Sequence, residues 1–332
     1  MSDPEVRAVV APEQAGKTVA AVLRSMLEGM SWNQVRALVQ RGRVQYGDEV
    51  ATDPAARVEA GQTLVVLAKA APKHRDAPIQ FLHVDADVVV VDKPAGLVSV
   101  PFDANERDTL LHRTHAALRR REHARHLPPL RVVQRLDKDT SGVLIFARTR
   151  RAERGLGEQF RRHDVQRAYL GLAYGKVRSQ SHETWLVPDR GDRRRGSWNE
   201  RRGKGSRPAS ARRAVTHVKL LEHHPATSLE WEEGGTSSGV SLVECRLETG
   251  RQHQIRIHLG EDHHPLVGER VYDRDYDGPC LRAFAKGRGR PMLHAAELGV
   301  QHPTRDRTLS FTADLPSDFA DLLRALRADS AG

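Results

Sequence analysis

Two short apolar runs, Leu130 to Gln134 and Val143 to Ala147, bracket the polar segment Arg135-Leu136-Asp137-Lys138-Asp139-Thr140-Ser141-Gly142. Runs of that length, rich in β-branched residues and joined by a turn, are strands of a sheet, so the chain is committed to a β-containing core. Other segments agree. Phe81 to Val91 is apolar and ends in the turn Asp92-Lys93-Pro94-Ala95-Gly96, and Arg167 to Tyr174 reads as a strand. Val243, Cys245 and Leu247 alternate with Glu244, Arg246 and Glu248, the period of two that marks a half-buried strand. Arg151 to Phe160 reads as a helix. After Thr249-Gly250-Arg251, the segment QHQIRIHL has no period that decides between helix and strand.

Ahead of Pro78 the texture differs. Val19, Val22, Leu23 and Met26 form one apolar stripe at helical spacing, and Val35, Leu38 and Val39 form another. Ser31 and Gln34 have the spacing of a capping box, and Gly42 is a stop signal. Arg43 to Gly47 and Thr63 to Leu67 read as short strands, while Arg24, Arg36, Arg41 and Arg43 decorate the surface. Ala68 to Pro78 is polar, with two prolines, and fits a linker.

The chain has 332 residues, 39% hydrophobic and 29% charged, enough for a large domain and a small one. Its longest aliphatic run, Val88 to Val91, is far short of the ~18 residues that a membrane helix needs. No amino-terminal targeting pattern is evident, and Cys245 and Cys280 form neither a disulfide framework nor a zinc motif. A cytoplasmic protein is expected. Lys plus Arg number 53 against 43 Asp plus Glu, and the excess is concentrated. Asp189 to Arg213 carries ten Arg or Lys against three acids, and Leu111 to Arg131 carries six Arg against Glu122 alone. An arginine-favouring genome would raise the total, but clustering of this kind predicts a polyanionic partner.

Asp137 is the group with the clearest chemical potential. A carboxylate at a strand end between Arg135 and Lys138 stays ionised and nucleophilic, although a hydrated β-turn has the same spacing. His253, His258, His263 and His264 lie close together without metal-ligand spacing or a cysteine partner, so no metal site is expected. Arg288-Gly289-Arg290-Pro291 reads as a surface loop, and Gly203-Lys204-Gly205 lacks the context of a P-loop.

Taken in order, RLDKDTSGVLIFA from Arg135, LETGRQHQIRIHL from Leu247, HPLVGERVYD from His264, and LHA at Leu293 before His302-Pro303 resemble the RluA-like family of RNA pseudouridine synthases. Lys93-Pro94-Ala95-Gly96 and Arg167-Ala168-Tyr169 fall where that family carries its remaining signatures. The amino-terminal pattern resembles the alpha-L RNA-binding module. The resemblance implies an α+β fold with a central mixed, largely antiparallel sheet carrying an active-site cleft, plus the small amino-terminal domain. The corresponding divisions are residues 8–68 for the module, 69–77 for the linker and 78–327 for the catalytic domain. It also implies isomerisation of uridine to pseudouridine in structured RNA, without metal or cofactor. A monomer is expected. Large-subunit ribosomal RNA is the preferred substrate. Transfer RNA, or a non-catalytic RNA-binding or ribosome-assembly role on the same fold, is the alternative.

By motif position, the resemblance makes Asp137 the essential carboxylate and Tyr169 the residue that packs on the base and helps remove the proton from carbon 5. Arg256 is implied to pair with Asp137. Arg135 stands where the family has an arginine that enters the RNA as the uridine flips out, a motion the chemistry requires. Arg251, His253, Lys93, Arg36 and Arg43 are the further residues expected to contact RNA. The sequence departs from the family pattern at Gln134, where histidine is usual, at Arg167, where lysine is usual, and at Glu269, where aspartate is usual.

Overall fold

In the structure, a computed structural model, the helix expected after Ser31 begins with a reciprocal cap. Gln34 N donates to Ser31 Oγ (3.3 Å) and Ser31 N donates to Gln34 Oε1 (2.7 Å), which satisfies two of the N–H groups that a helix start leaves without partners. This helix, α2 (Trp32–Gln40), follows α1 (Val19–Met26), whose cap is Thr18 Oγ1 accepting from Ala21 N. Their apolar stripes meet in one cluster, with Val19, Val22 and Leu23 against Val35, Val39, Val44 and Leu64. Beside them lies a four-stranded antiparallel sheet in the order β1 (Val6–Val9), β4 (Thr63–Val66), β2 (Val44–Tyr46), β3 (Glu49–Val50). Arg36 is exposed near the Trp32 ring, whereas Arg43 turns back and its Nε donates to Leu67 O (3.0 Å).

The chain divides into two compact units, Met1–Pro78 and Ile79–Gly332. The structure describes residues 6–330 except 28, 41, 47–48, 52–53, 68–77, 103–105, 107, 199–205, 226–228, 232–238, 275 and 288. The linker expected at 69–77 lies outside the described residues, as do Arg41, Gly203-Lys204-Gly205 and Arg288.

In the second unit, β8 (Ser141–Ala147) is buried along its whole length, and its alternation explains the layers. Val143, Ile145 and Ala147 join Val88, Val90, Ala152 and Leu156 on one side; Leu144 and Phe146 join Val89, Val91, Leu110 and Leu118 on the other. A strand with apolar side chains on both faces needs cover on both. Helices α3 (Leu110–Arg121) and α4 (Arg150–Arg162) supply part of it. The strand order is β11 (Gly196–Ser197), β10 (Gln180–Val187), β12 (Arg212–His224), β13 (Val240–Leu247), β9 (Gln166–Tyr174), β14 (Leu293–Gln301), β8, β6 (Val88–Lys93), β5 (Gln80–Val84). In addition, β15 (Thr308–Thr312) pairs with β14, and β7 (Arg131–Val132) with β8. Among the described residues, only β14 and β8 run parallel, so the sheet is mixed and largely antiparallel, in an α+β architecture. Where those two strands meet, a Cβ on Gly142 would sit 2.1 Å from Ala295 O, at φ +111°; no other residue fits.

Three segments differ from their sequence-based expectations. The run Phe81 to Val91 is two strands, because Asp85 Oδ1 accepts from Asp87 N and Val88 N (2.9 Å each) and reverses the chain. Of Leu130 to Gln134, only β7 is paired, and the remainder belongs to the loop carrying Asp137. QHQIRIHL contributes α5 (Gln254–Glu261), a helix with Ile255, Ile257, His258, Leu259 and Gly260 all buried; a helix covered nearly all round shows no amphipathic period. The last helix, α6 (Ser317–Ser330), packs Phe319, Leu323 and Leu326 into the core. Among the described residues, no helix is long and apolar enough to cross a membrane.

Candidate active site

Asp137 opens a turn closed by Thr140 N donating to Asp137 O (3.2 Å). Three buried side chains hold this loop by its main chain. Ser99 Oγ donates to Leu136 O (2.7 Å) and accepts from Leu136 N (3.1 Å). Arg290 Nη1 donates to Asp139 O (3.0 Å), while the rest of that guanidinium is forked on Asp318. Lys93, at the end of β6, donates from Nζ to Pro94 O (3.0 Å), Lys138 O (2.8 Å) and Thr140 O (2.8 Å). The RNA contact expected of Lys93 is therefore corrected. It is 0% exposed with all three donors committed, and it acts on the loop from within the protein. Burial pulls its ammonium down to about 7, against the opposing influence of Asp139 and Asp137. Arg290, read from sequence as part of a surface loop, is likewise buried.

Over this loop the sheet and α5 deliver the other groups. Tyr169 on β9 is almost wholly buried, and burial pushes its hydroxyl pKa up although Arg167 opposes this, so it is a neutral phenol. His253 and Arg256 bracket the Asp137 carboxylate, with His253 Nε2 3.8 Å from Oδ1 and Arg256 Nη1 3.8 Å from Oδ2. The pairing expected between Arg256 and Asp137 is thus a loose one. The tight partner of Arg256 is Glu269, which accepts from Nε (2.7 Å) and Nη2 (2.6 Å). Glu269 Oε1 also accepts from Arg270 N and Val271 N (2.9 Å each). Burial raises the Glu269 carboxyl pKa, but the fork with Arg256 outweighs it and leaves the acid below its ordinary range. Arg256 stays charged and rigid, with one edge free toward Asp137. His253 takes a left-handed backbone at the start of α5 and bonds Tyr272 Oη through Nδ1 (2.8 Å); burial lowers its pKa even with Asp137 nearby.

The turn before α5 is fixed by Gln254. Its Oε1 accepts from Thr249 Oγ1 (2.7 Å) and Arg251 N (3.0 Å), and its Nε2 donates to Val215 O (2.9 Å) and Thr216 Oγ1 (3.0 Å). Arg251 is half-buried, with Nε donating to Arg213 O (3.1 Å). These elements line an open cleft that contains Asp137, Tyr169, Arg256, His253, Arg251 and Arg135. Arg135 is exposed at its edge. Among the described residues, Asp137 is the only acid lining the cleft. Such a site suits one flipped-out nucleotide, whose base packs on an aromatic ring while a carboxylate faces the sugar.

The sequence profile described as RNA pseudouridylate synthase matches residues 87–261, just over half of the chain. The chain belongs to that family. The synthase is 35% identical to the Ribosomal large subunit pseudouridine synthase D of Xanthomonas campestris pv. campestris, over 99% of this chain and 95% of that protein. It is 33% identical to the protein of the same name from Xylella fastidiosa, over 96% of this chain and 91% of the relative. Among solved structures, Human RNA Pseudouridylate Synthase Domain Containing 4 superposes with a TM-score of 0.59 at 22% identity, covering 75% of this chain and 93% of that chain, a likeness of fold. The enzyme is therefore an RNA-modifying isomerase that converts uridine to pseudouridine.

The motifs place Asp137, Tyr169, Arg256, Arg251, His253 and Arg135 on one cleft, and Lys93 beneath its loop. Arg36 and Arg43 belong to the amino-terminal unit. Three residues that fix this geometry, Glu269, Ser99 and Gln254, carry no role in the sequence reading. For Glu269 a signal existed, as an acid at a motif position 13 residues beyond an arginine. Ser99 acts through main-chain atoms, and Gln254 through main-chain atoms and the hydroxyls of Thr249 and Thr216, so neither leaves such a trace. The basic segment from Asp189 is partly tied down: Arg190 pairs with Asp192 and Glu261, and Arg207 lies 3.5 Å over the Trp185 ring. Among the described residues, no group of three or more His, Cys, Asp or Glu is placed to hold a metal.

Proposed function

We propose that the synthase modifies large-subunit ribosomal RNA in the cytoplasm, as a monomer, with Asp137 as the essential carboxylate. The observation that carries this reading is the convergence of Asp137, Tyr169 and Arg256 on one cleft, in a chain whose relatives are named for that RNA along nearly their whole length. The N1–C1′ bond of uridine breaks, the uracil turns, and C5 bonds to C1′ while the C5 hydrogen is lost and N1 gains a proton. Asp137 serves the ribose side, either by attack at C1′ or by assisting glycal formation. Arg256, fixed by Glu269, keeps that carboxylate ionised once the base has displaced water. Tyr169 packs on the uracil, and as a neutral phenol its oxygen takes the C5 proton while its own hydroxyl proton passes to solvent in the open cleft, so that it relays the proton and is never a phenolate. Arg135 fills the space the flipped nucleotide leaves. His253, Arg251 and the amino-terminal module, through Arg36 and Arg43, hold surrounding RNA.

The test is tritium release from RNA labelled at uridine C5, together with pseudouridine mapping across total RNA in a deletion strain. The wild-type enzyme should release tritium from large-subunit RNA and restore the missing site, whereas Asp137→Asn should do neither while binding RNA within a few-fold of wild type. Turnover by purified Asp137→Asn would remove Asp137 from its role, and a lost site in transfer RNA would remove the substrate assignment.

A further inference from the structure

Once Asp137, Tyr169, Arg256 and His253 are accounted for, one buried charge in the cleft is left over. Arg167 stands two residues before Tyr169 on β9, so both side chains lie on the same face of the sheet. It is 8% exposed. Nη2 donates to Leu247 O (3.3 Å) and Glu248 O (2.8 Å), while Nε is buried without an acceptor and Nη1 has none among the described residues. Among the described residues no carboxylate pairs with it; burial disfavours the guanidinium most, Tyr169 opposes this, and the like charge of Arg251 adds to the burial effect. A desolvated cation with unused donors and a second cation beside it is an expensive arrangement to keep empty.

The backbone leaves room for it. A Cβ at position 250 would lie 2.5 Å from Arg167 Nη1, so any side chain there would push the guanidinium aside from its present place. Gly250, Arg167 and Arg251 all line the cleft. Two neighbouring guanidinium groups on one cleft wall, with no carboxylate paired to either among the described residues, call for an anion; a uracil carbonyl is neutral and offers too little charge for both.

We infer that Arg167, seated against Gly250 and aided by Arg251, binds one backbone phosphate adjacent to the target uridine. This subsite rests on the functional reading above, since the cleft must receive RNA for it to be filled. It positions the flipped nucleotide and takes no part in bond breaking. Specificity for a nucleotide within a chain, over a free nucleoside, follows from it.

The experiment uses the full-length enzyme and a large-subunit RNA stem-loop that it isomerises. Each phosphate within two nucleotides of the target is replaced in turn by a neutral methylphosphonate, with the neighbouring 2′-hydroxyl replaced by hydrogen in test and control alike. Affinity, KM and kcat are measured for wild type, Arg167→Gln and Arg167→Lys. One position should raise the wild-type KM about tenfold. Arg167→Gln should show a similar rise on unmodified RNA and be insensitive to that one replacement, and Arg167→Lys should recover part of the sensitivity. If no single phosphate stands out for wild type, or if Arg167→Gln stays equally sensitive at the singled-out position, the subsite is refuted. Should the wild type isomerise no ribosomal fragment, the functional reading fails instead, and the affinity series on the wild type still decides the subsite.

Discussion

Lys93 and Arg167 are both buried cations of the catalytic unit, and the protein treats them in opposite ways. Lys93 donates its three protons to three main-chain oxygens and ties the Asp137 turn to the end of β6. Arg167 uses Nη2 alone and leaves Nε and Nη1 without partners among the described residues. A saturated buried cation is a cross-link, and its value is paid out as loop geometry. An unsaturated one is held ready for a ligand. Arg256 lies between these cases, saturated on one edge by Glu269 and presenting the other to Asp137 at 3.8 Å.

The largest effect is expected when Arg256 is turned into a second Arg167. Glu269→Ala strips the fork and leaves a buried guanidinium whose nearest acid is Asp137. Breaking a buried pair from one side costs about 3–5 kcal/mol. The urea midpoint should fall accordingly, and kcat should drop by roughly 10² or more as Arg256 closes on Asp137 and blocks the ribose. A variant of wild-type stability and rate would mean that the fork orients nothing. The next effect is that of Lys93→Met, which keeps the volume and removes the donors. Three main-chain oxygens lose their partner while the cost of burying a charge disappears, so the net loss should be about 2–4 kcal/mol with kcat falling more than KM changes. If KM on RNA rose instead, Lys93 would be contacting substrate after all.

These residues also mark how far the sequence can be read. The capping box at Ser31, the strand texture around Asp137 and the motif order are local properties, and each reappears in the structure at or near its expected place. The role of Lys93 is hidden because a charged residue in a turn motif looks the same whether its stem points to water or into a cluster of carbonyls, two of which come from 45 and 47 residues away. Arg290 failed for the same reason, since its partners Asp139 and Asp318 lie far off along the chain. The helix at Gln254 was ambiguous because both its faces are covered. What a side chain does is legible when its partners are local and opaque when they are brought together by the sheet.

A smaller effect probes the floor of α5. His258 bonds Thr216 Oγ1 through Nδ1 (2.8 Å) and Thr184 Oγ1 through Nε2 (2.9 Å), and burial pushes its pKa from 6.5 down to about 3. Unlike Lys93, it is buried in its neutral form. The unfolded chain takes up this proton below pH 6.5 and the folded protein does not until about pH 3. Stability should therefore fall as pH drops through that window, by up to about 1.4 kcal/mol per pH unit from this group. Urea midpoints at pH 6.5 and 5 should show a shallower acid slope in His258→Gln than in wild type. Identical slopes would place the acid sensitivity in other groups.

The smallest change in stability is the one that best separates Arg167 from Lys93. Arg167→Met removes two hydrogen bonds, to Leu247 O and Glu248 O, and also removes a desolvated charge that had no acid near it. The methionine side chain can retain the packing on Phe160, whose ring lies 5.8 Å from the guanidinium carbon. The lost bonds and the relieved charge oppose each other at about 1–3 kcal/mol apiece, so the urea midpoint should move by no more than the equivalent of ~1 kcal/mol in either direction. Lys93→Met, the same replacement of a buried cation by the same apolar side chain, should destabilise by several times as much. A large destabilisation in Arg167→Met would make Arg167 a cross-link like Lys93. A midpoint that holds while RNA affinity falls would separate the two cations as holder of the loop and holder of the ligand.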